Sequence, residues 1–385
     1  MEIRELTPDD LDAALDNRVR SFGPVPEADV ASWRDGSASV MAAGRQLGGF
    51  DGDRLVSTAR MLPFRQWWAG RAVPTGGLAG VTVAPEDRGR GAGRAIVTAT
   101  LQRSVELGDA LSALHPATTA LYRGLGWEHA GGLHRVTLKT EGLRGIRAER
   151  VPVRRVGPED AEEVAATVAR VHEAARDCGP VDMGVDLWRT RLKHSDWFAY
   201  LAEDGFLAYR WSADNASLVI DKVVAGSEGT ARALWAIVGS GASTAETVTA
   251  NLAPYDPVLW LVGEREHDMI DRTQWMLRVL DAPKAVELRG YRPGVSAEIP
   301  VHITDGILPA NTGAWMLTVK DGEGRLEPAP DDPTAVRVGP RGLAALYAGV
   351  PVSTLRRAGL LHGGDVRAEA LDAVFAAQPF ALDYY

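Results

Sequence analysis

At 385 residues the chain is longer than one core usually fills, since beyond about 250–300 residues chains divide into domains. A hydrophobic fraction of 45% and a charged fraction of 24% exclude a disordered chain, and a net charge of -9 without any run of Lys or Arg excludes a nucleic-acid footprint or an anionic-membrane patch. The single Cys178, the charged first seven residues and the lack of any apolar run of about 20 residues point to a cytoplasmic protein with no disulfide, no secretory segment and no membrane span.

Along the chain, Ile3 and Leu6 alternate with charged neighbours, and Thr7-Pro8-Asp9-Asp10 reads as a capped helix start with proline at the first position. A helix is expected over 9–19, with Leu11, Ala14, Leu15 and Val19 on one side. Short strands are expected from 40 to 83, among them 54–61 and 77–83, the second closed by Ala84-Pro85. A helix over 91–107 would bury Val97, Leu101 and Val105. A strand at 111–115, a short helix at 118–124 and a strand at 133–138 complete a mixed α/β unit over residues 1–140.

The phrase Gly157-Pro158-Glu159-Asp160 repeats the proline-acid start of residues 7–10, which predicts a duplicated unit over 150–288. Its strands are expected at 197–201, 205–211 and 217–224, with a helix at 230–240. A third α/β unit over 291–385 has strands at 297–304, 313–320 and 335–338 and helices at 340–348 and 365–377. The fold class is therefore α/β, or α+β, with mixed sheets.

The most informative phrase is Val81-Thr82-Val83-Ala84-Pro85-Glu86-Asp87-Arg88-Gly89-Arg90-Gly91-Ala92-Gly93-Arg94. A strand delivers the chain to a glycine-rich turn and a helix leaves it, so the first free N–H groups of that helix face an anion-binding space. Gly91 and Gly93 allow close approach of a phosphate, while Arg88, Arg90 and Arg94 supplement the amides, with Arg88 equally able to brace the loop. Neither Gly-x-Gly-x-x-Gly nor Gly-Lys-Ser/Thr is present in order, which argues against a dinucleotide or nucleotide-triphosphate loop.

Arg88, Gly91 and Gly93 match residue by residue the Arg-x-x-Gly-x-Gly core of the GNAT superfamily, which the phrase resembles. The resemblance implies acetyl-CoA as cosubstrate, held at its pyrophosphate by Arg88, Gly89, Arg90, Gly91, Ala92, Gly93 and Arg94. It also implies a splayed strand at Val81, Thr82 and Val83 that binds the pantetheine arm and offers a backbone donor near Val83 to the thioester carbonyl. No comparable motif follows a strand in the second unit, which is expected to be degenerate. The segment 114–127 resembles the part of the GNAT fold that brings a tyrosine to the coenzyme A sulfur, which makes Tyr122 the general acid. Its phenol, with an ordinary pKa near 10, is a protonated donor at neutral pH. His115 is read against a base role as a structural histidine, and Trp127 as core.

The whole chain resembles the Eis (enhanced intracellular survival) aminoglycoside N-acetyltransferases, on Pro74-Thr75-Gly76-Gly77-Leu78, Leu114-His115, Leu121-Tyr122 and the ending Pro379-Phe380-Ala381-Leu382-Asp383-Tyr384-Tyr385. Between His115 and Tyr122 it departs from that family with Ala117-Thr118-Thr119-Ala120. The resemblance implies tandem GNAT-like domains followed by a sterol-carrier-like domain, a homo-oligomer with a hexamer as the family's form, and a C-terminal carboxylate, here on Tyr385, acting as the base. An α-carboxyl pKa near 3.5 against an ammonium near 10.4 sets a limit, because ground-state transfer would cost about 9 kcal/mol. The carboxylate must therefore orient the amine and accept its proton after attack. Direct transfer of this kind needs neither a metal nor Cys178 as an acyl carrier.

For the acceptor, Phe22, Glu27, Asp29, Trp33 and Asp35 lie where it would enter, Trp33 as a stacking surface and the carboxylates as partners for a polycation. A solvated-surface role for Glu27 and Asp29 is the alternative. The expected reaction is acetylation of a primary amine on a cationic small molecule, an aminoglycoside. Lysine, peptide or polyamine acceptors are the second reading, and a non-catalytic acyl-CoA or lipid-binding protein is the third.

Overall fold

The computed structural model describes residues 1–148, 151–263 and 270–385. Two mixed α/β units share one continuous sheet, and a third unit with its own sheet packs against it. At the near edge, Glu2–Glu5, Gln46–Asp51, Arg54–Trp68, Arg71–Val83 and Leu111–Leu114 follow one another in space. Of the expected short strands between 40 and 83, Gln46–Asp51 is short as expected, while those from 54 to 83 form one long hairpin. Apolar and aromatic residues continue the pattern past Met61 to Trp68, and the turn falls at Ala69-Gly70, whose φ values of 51° and 88° give the two-residue primed geometry.

The expectation that residues 1–140 close on themselves is corrected by the strand Ile270–Val279. It inserts between Leu111–Leu114 and Glu128–Lys139, antiparallel to both. Glu128–Lys139 then pairs with Thr247–Asn251, and the sheet runs on through Ser217–Ala225, Gly205–Trp211, Phe198–Ala202 and Arg154–Arg155. Trp275, Met276, Leu277 and Val279 are buried, as a strand covered on both faces requires. Arg278, in the same strand, donates to Asp305 at 2.5 Å and to the Leu125 carbonyl at 3.2 Å, tying the three units at one buried point.

The helix Ala92–Glu106 buries Ile96, Val97, Thr100, Leu101 and Ser104. Val105, expected in that stripe, is 36% exposed. Positions four apart advance about 40° beyond a full turn at each step, so the face has rotated away by the second step and Ser104 takes the inner position. The helices Glu27–Ala42 and Val352–Arg357 and the strand Glu323–Pro328 were not anticipated. The first is rich in small residues, including Gly36, Ser37 and Ser39, and presents little apolar periodicity.

The third unit orders its strands Glu323–Pro328, Gly313–Lys320, Ala297–Ile303, Val336–Val338 and Leu361–His362. Its chain end returns to the large sheet, where Phe380–Ala381 pairs in parallel with Gly132 and Leu133. The path is close enough that a Cβ at Gly131 would lie 2.2 Å from the Pro379 carbonyl oxygen, and one at Gly179 would lie 2.3 Å from that of Phe380. Only glycine fits at these two crossings.

Candidate active site

The strand Arg71–Val83 pairs in parallel with Leu111–Leu114 only through Thr75, Gly76 and Gly77. Beyond Gly77 the two separate, and a one-residue shift in the pairing with Arg54–Trp68 places a bulge at Gly80 and Val81. The splay expected at Val81, Thr82 and Val83 is therefore present. Ala84 donates its N–H to Val56, so the preceding residue, Val83, directs its own N–H and carbonyl the other way, into the gap. Arg88 Nε donates to the Val83 carbonyl at 3.3 Å, which is the bracing role considered for it.

At the loop, Gly91 caps the helix Ala92–Glu106 with φ 87°, and Gly89 has φ 79°. Arg88, Arg90 and Arg94 are exposed around the open helix end. Asp87, buried beneath them, is held by Arg54 at 2.6 Å and faces Arg90 at 3.6 Å. Burial opposes its ionisation less than the Arg54 hydrogen bond favours it, so its pKa lies below the ordinary range. Arg94 reaches the Gly124 carbonyl at 3.2 Å and so links the loop to the segment that carries Tyr122. Gly91→Val forces a β-branched residue into the left-handed region at a cost of about 1–3 kcal/mol. If the loop holds the cosubstrate's pyrophosphate, the expected result is a KM for acetyl-CoA raised about tenfold at nearly unchanged kcat, the mark of lost uniform binding. An unchanged KM would remove the loop from cofactor binding.

A cavity of about 310 Å³ opens beside the splay, and its walls bring Tyr122 and Tyr385 together with Ala79, Gly80, Val81 and Thr82. Tyr122, on the short helix Thr119–Arg123, lies edge-on to buried Trp127 with ring centroids 5.9 Å apart. Burial pushes its phenol up to about 12. Tyr385 packs edge-on against Phe64 at 4.9 Å and against His115 at 5.2 Å, while Tyr384 stacks on His115 at 4.4 Å. The chain end is thus a packed wedge.

Neither ring nitrogen of His115 meets strict hydrogen-bond geometry with a described residue, and burial lowers its pKa to about 4 against the opposing pull of the adjacent Asp383 backbone. It is a neutral wall of the cavity at neutral pH, packed against Tyr384 and Tyr385. Cys178 is buried with its thiol pKa raised by burial, and it does not line this cavity.

Of the expected acceptor residues, Phe22 and Trp33 line the cavity. Glu27, Asp29 and Asp35 are exposed and do not. The helix Glu27–Ala42 turns them to solvent and only its inner face, through Trp33, toward the site. The charged side chains that do line the cavity are Arg18 and Arg60, neither of which was anticipated. The available signal was Arg60 within the apolar strand run Ala59-Arg60-Met61, where a charge facing a core demands a purpose.

The tail reaches this place through a buried clamp. Asp383 accepts hydrogen bonds from Lys222 and, at 2.9 Å, from Arg191. Burial alone would raise the Asp383 pKa, but Lys222 and Arg191 outweigh it and hold the carboxyl below its ordinary range. Lys222 sits where the strand Ser217–Ala225 has a register shift of its own, just past the end of its parallel pairing with Thr247–Asn251 at Ile220. The second unit thus repeats the splay and bulge of the first, and Leu382, Asp383 and Tyr384 line the cleft that results.

Comparison with known proteins agrees with this geometry. A crystal structure of a GCN5-related N-acetyltransferase from Kribbella flavida is similar at 45% identity with a TM-score of 0.97, over 100% of this chain and 98% of that one. The chain belongs to the GCN5-related N-acetyltransferase family. Family models described as an acetyltransferase (GNAT) domain match residues 2–130 and again 179–279, and a sterol carrier protein domain matches 282–382. N-acetyltransferase Eis of Mycobacterium tuberculosis is 28% identical over 351 residues, covering 85% of this chain and 84% of that protein. A GCN5-related N-acetyltransferase from Anabaena variabilis shares the fold, with a TM-score of 0.90 at 24% identity over the full length of both chains.

This family member is an acetyl-CoA-dependent N-acetyltransferase that moves an acetyl group to an amine. The second acetyltransferase unit has the family's splayed sheet, but its cleft is bordered by the chain's own tail. Among the described residues, no helix is long and apolar enough to cross a membrane, and no group of three or more His, Cys, Asp or Glu is arranged to hold a metal.

Proposed function

We propose that this acetyltransferase acetylates a primary amine on a small molecule by direct attack, with the Tyr385 α-carboxylate as base and Tyr122 as donor to the sulfur. The observation that carries the reading is that these two residues, from opposite ends of the chain, line one cavity beside the splayed strand. The cofactor site is formed by Val81, Thr82 and Val83 along the splay and by Arg88, Gly89, Arg90, Gly91, Ala92, Gly93 and Arg94 at the pyrophosphate. Residues 1–140 bind both substrates, 150–288 anchor the tail and 291–385 deliver it. Assembly as a homo-oligomer, a hexamer, and residence in the cytoplasm belong to the same reading. An aminoglycoside acceptor is supported by the Eis resemblance alone, since the carboxylates expected to receive a polycation lie outside the cavity.

In this scheme the amine nitrogen attacks the thioester carbon, and the charge developing on oxygen meets the Val83 N–H in the gap. The nitrogen, acidified by bond formation, gives its proton to the Tyr385 carboxylate as the C–S bond breaks. A phenol near 12 facing a thiolate whose acid is near 8.5 makes complete proton transfer from Tyr122 uphill by about 5 kcal/mol. Tyr122 therefore acts mainly by hydrogen-bonding the departing sulfur, and the proton released from nitrogen neutralises the thiolate through solvent.

A hydrogen bond to a charged group contributes about 1.5–3 kcal/mol. Tyr122→Phe is accordingly expected to lower kcat about 10- to 100-fold, with the KM for acetyl-CoA changed by less than about twofold. The assay is thiol release from acetyl-CoA in the presence of a primary amine. Unchanged kcat in the phenylalanine variant would reject the role of Tyr122.

A further inference from the structure

Arg60 extends from the strand Arg54–Trp68 over the bulge, with its Nε 3.4 Å from where a Cβ of Gly80 would stand. That Nε is buried and has no hydrogen-bond partner, and the guanidinium forms no ion pair among the described residues. Arg18, on the helix Leu11–Phe22, lines the same cavity and spends one nitrogen on the Gly23 carbonyl at 3.3 Å. It also forms no ion pair, and its charge adds to burial in disfavouring protonated Arg60.

Two guanidiniums that remain charged at any pH at which the chain is folded therefore face a cavity that no Asp or Glu side chain lines. The one acidic group its wall residues carry is the α-carboxylate of Tyr385. Even if that group offsets one arginine, a unit of positive charge is left unmatched on two half-buried side chains, and partial desolvation of a charge without a partner carries a cost. A polycationic acceptor would add to the cost. An acceptor with one amine and one anionic group would relieve it at both ends.

Resting on the amine acetylation proposed above, we infer that the acceptor is a small amine bearing a carboxylate or phosphate, whose anionic group is bound by Arg60 and Arg18 while its amine faces Tyr385. Arg60 is the specificity-determining residue. Its planar fork suits either oxyanion bidentately, so carboxylate and phosphate share one recognition chemistry. The cavity, at about 310 Å³ with Phe22 and Trp33 on its walls, accommodates a linker of a few carbons between the two groups.

The test compares matched acceptors in the thiol-release assay with the full chain: 4-aminobutanoate against 4-aminobutanamide and 1,4-diaminobutane, and 2-aminoethyl phosphate against ethanolamine. Expected is a kcat/KM for at least one anionic amine about tenfold or more above its neutral and cationic partners. Arg60→Met, with folding checked by thermal melting, is expected to close that ratio to within about threefold, and Arg60→Lys to restore part of it. Greater activity on the diamine or the neutral amines overturns the inference and leaves amine acetylation standing. So does an Arg60→Met variant that loses activity equally on every acceptor, which would place Arg60 on acetyl-CoA instead. Absence of amine-dependent thiol release from all five amines, with acetyl-CoA still bound, rejects amine acetylation and this inference with it.

Discussion

A chain ending at Tyr384, or one extended by three glycines after Tyr385, is expected to lose about 10²- to 10⁴-fold in kcat while still binding acetyl-CoA, the range a positioned base contributes. The two changes separate packing from charge. Deletion removes the ring that packs against Phe64 and His115 as well as moving the carboxylate. Extension leaves the ring and converts its α-carboxylate into an amide, so the nearest carboxylate moves three residues away. No acidic side chain on the cavity wall can replace it, and His115, with a pKa near 4, is a poor base for an ammonium. Full activity in the extended chain would eliminate the terminal carboxylate as base, and activity lost in the deletion alone would assign Tyr385 a packing role.

Asp383→Asn is expected to lower stability by about 3–5 kcal/mol and to reduce turnover together with it. The substitution keeps the volume of the side chain but leaves Lys222, 3% exposed, with its positive charge unmatched in the interior of the second unit. Removing the fully buried pair, as in Asp383→Leu with Lys222→Met, should recover part of the stability, because replacing a buried pair with apolar groups is less costly than breaking it, while Arg191, 24% exposed, loses its partner.

The pH dependence has a definite sign. The folded pKa of Asp383 lies below its unfolded value near 3.9, so its contribution is complete above about pH 4. It is lost as pH falls through the folded pKa. Chemical denaturation at pH 7 and pH 3 measures this directly. A stability difference between wild type and Asp383→Asn that did not shrink at acid pH would show that the clamp is not held by the charge of Asp383.

The tail clamp also gives the duplicated unit a purpose that its lost motif conceals. The second splay, flanked by Lys222 and Asn251, is bordered by the tail, and Asn251 donates to the Leu382 carbonyl at 3.3 Å. A sheet that opens onto a cavity in the first copy borders Leu382, Asp383 and Tyr384 of its own chain in the second. The chain end is thus held by burial of Phe380, Leu382 and Asp383, without the mobility usual for a terminus.

Local grammar made much of this legible in the residues themselves. The strand Gly205–Trp211 and the strand Gly313–Lys320 have the limits that alternation predicts, and Gly91 marks the helix start at the cofactor loop because a left-handed φ leaves few other choices. The resemblance carried by Arg88, Gly91, Gly93 and the aromatic ending pointed to the cosubstrate. Other features had no local signature. Ile270–Val279 reads as an apolar strand wherever it pairs, and only the competition between distant edges places it between Leu111–Leu114 and Glu128–Lys139. Val105 fell outside the core because repeats of four outrun the helix period.

Contiguity made the strand, glycine-rich turn and helix start from Val81 to Arg94 legible in the residues alone, because their geometry follows from backbone sterics. Which side chains meet in the cavity beside the splay depended on the packing of distant elements. Arg18, Arg60, Tyr122 and Tyr385 come from four separate elements. The charges that face one another there depend on which side of each helix and strand the packing turns inward, and this is why the cavity is lined by arginines while Glu27, Asp29 and Asp35 face water.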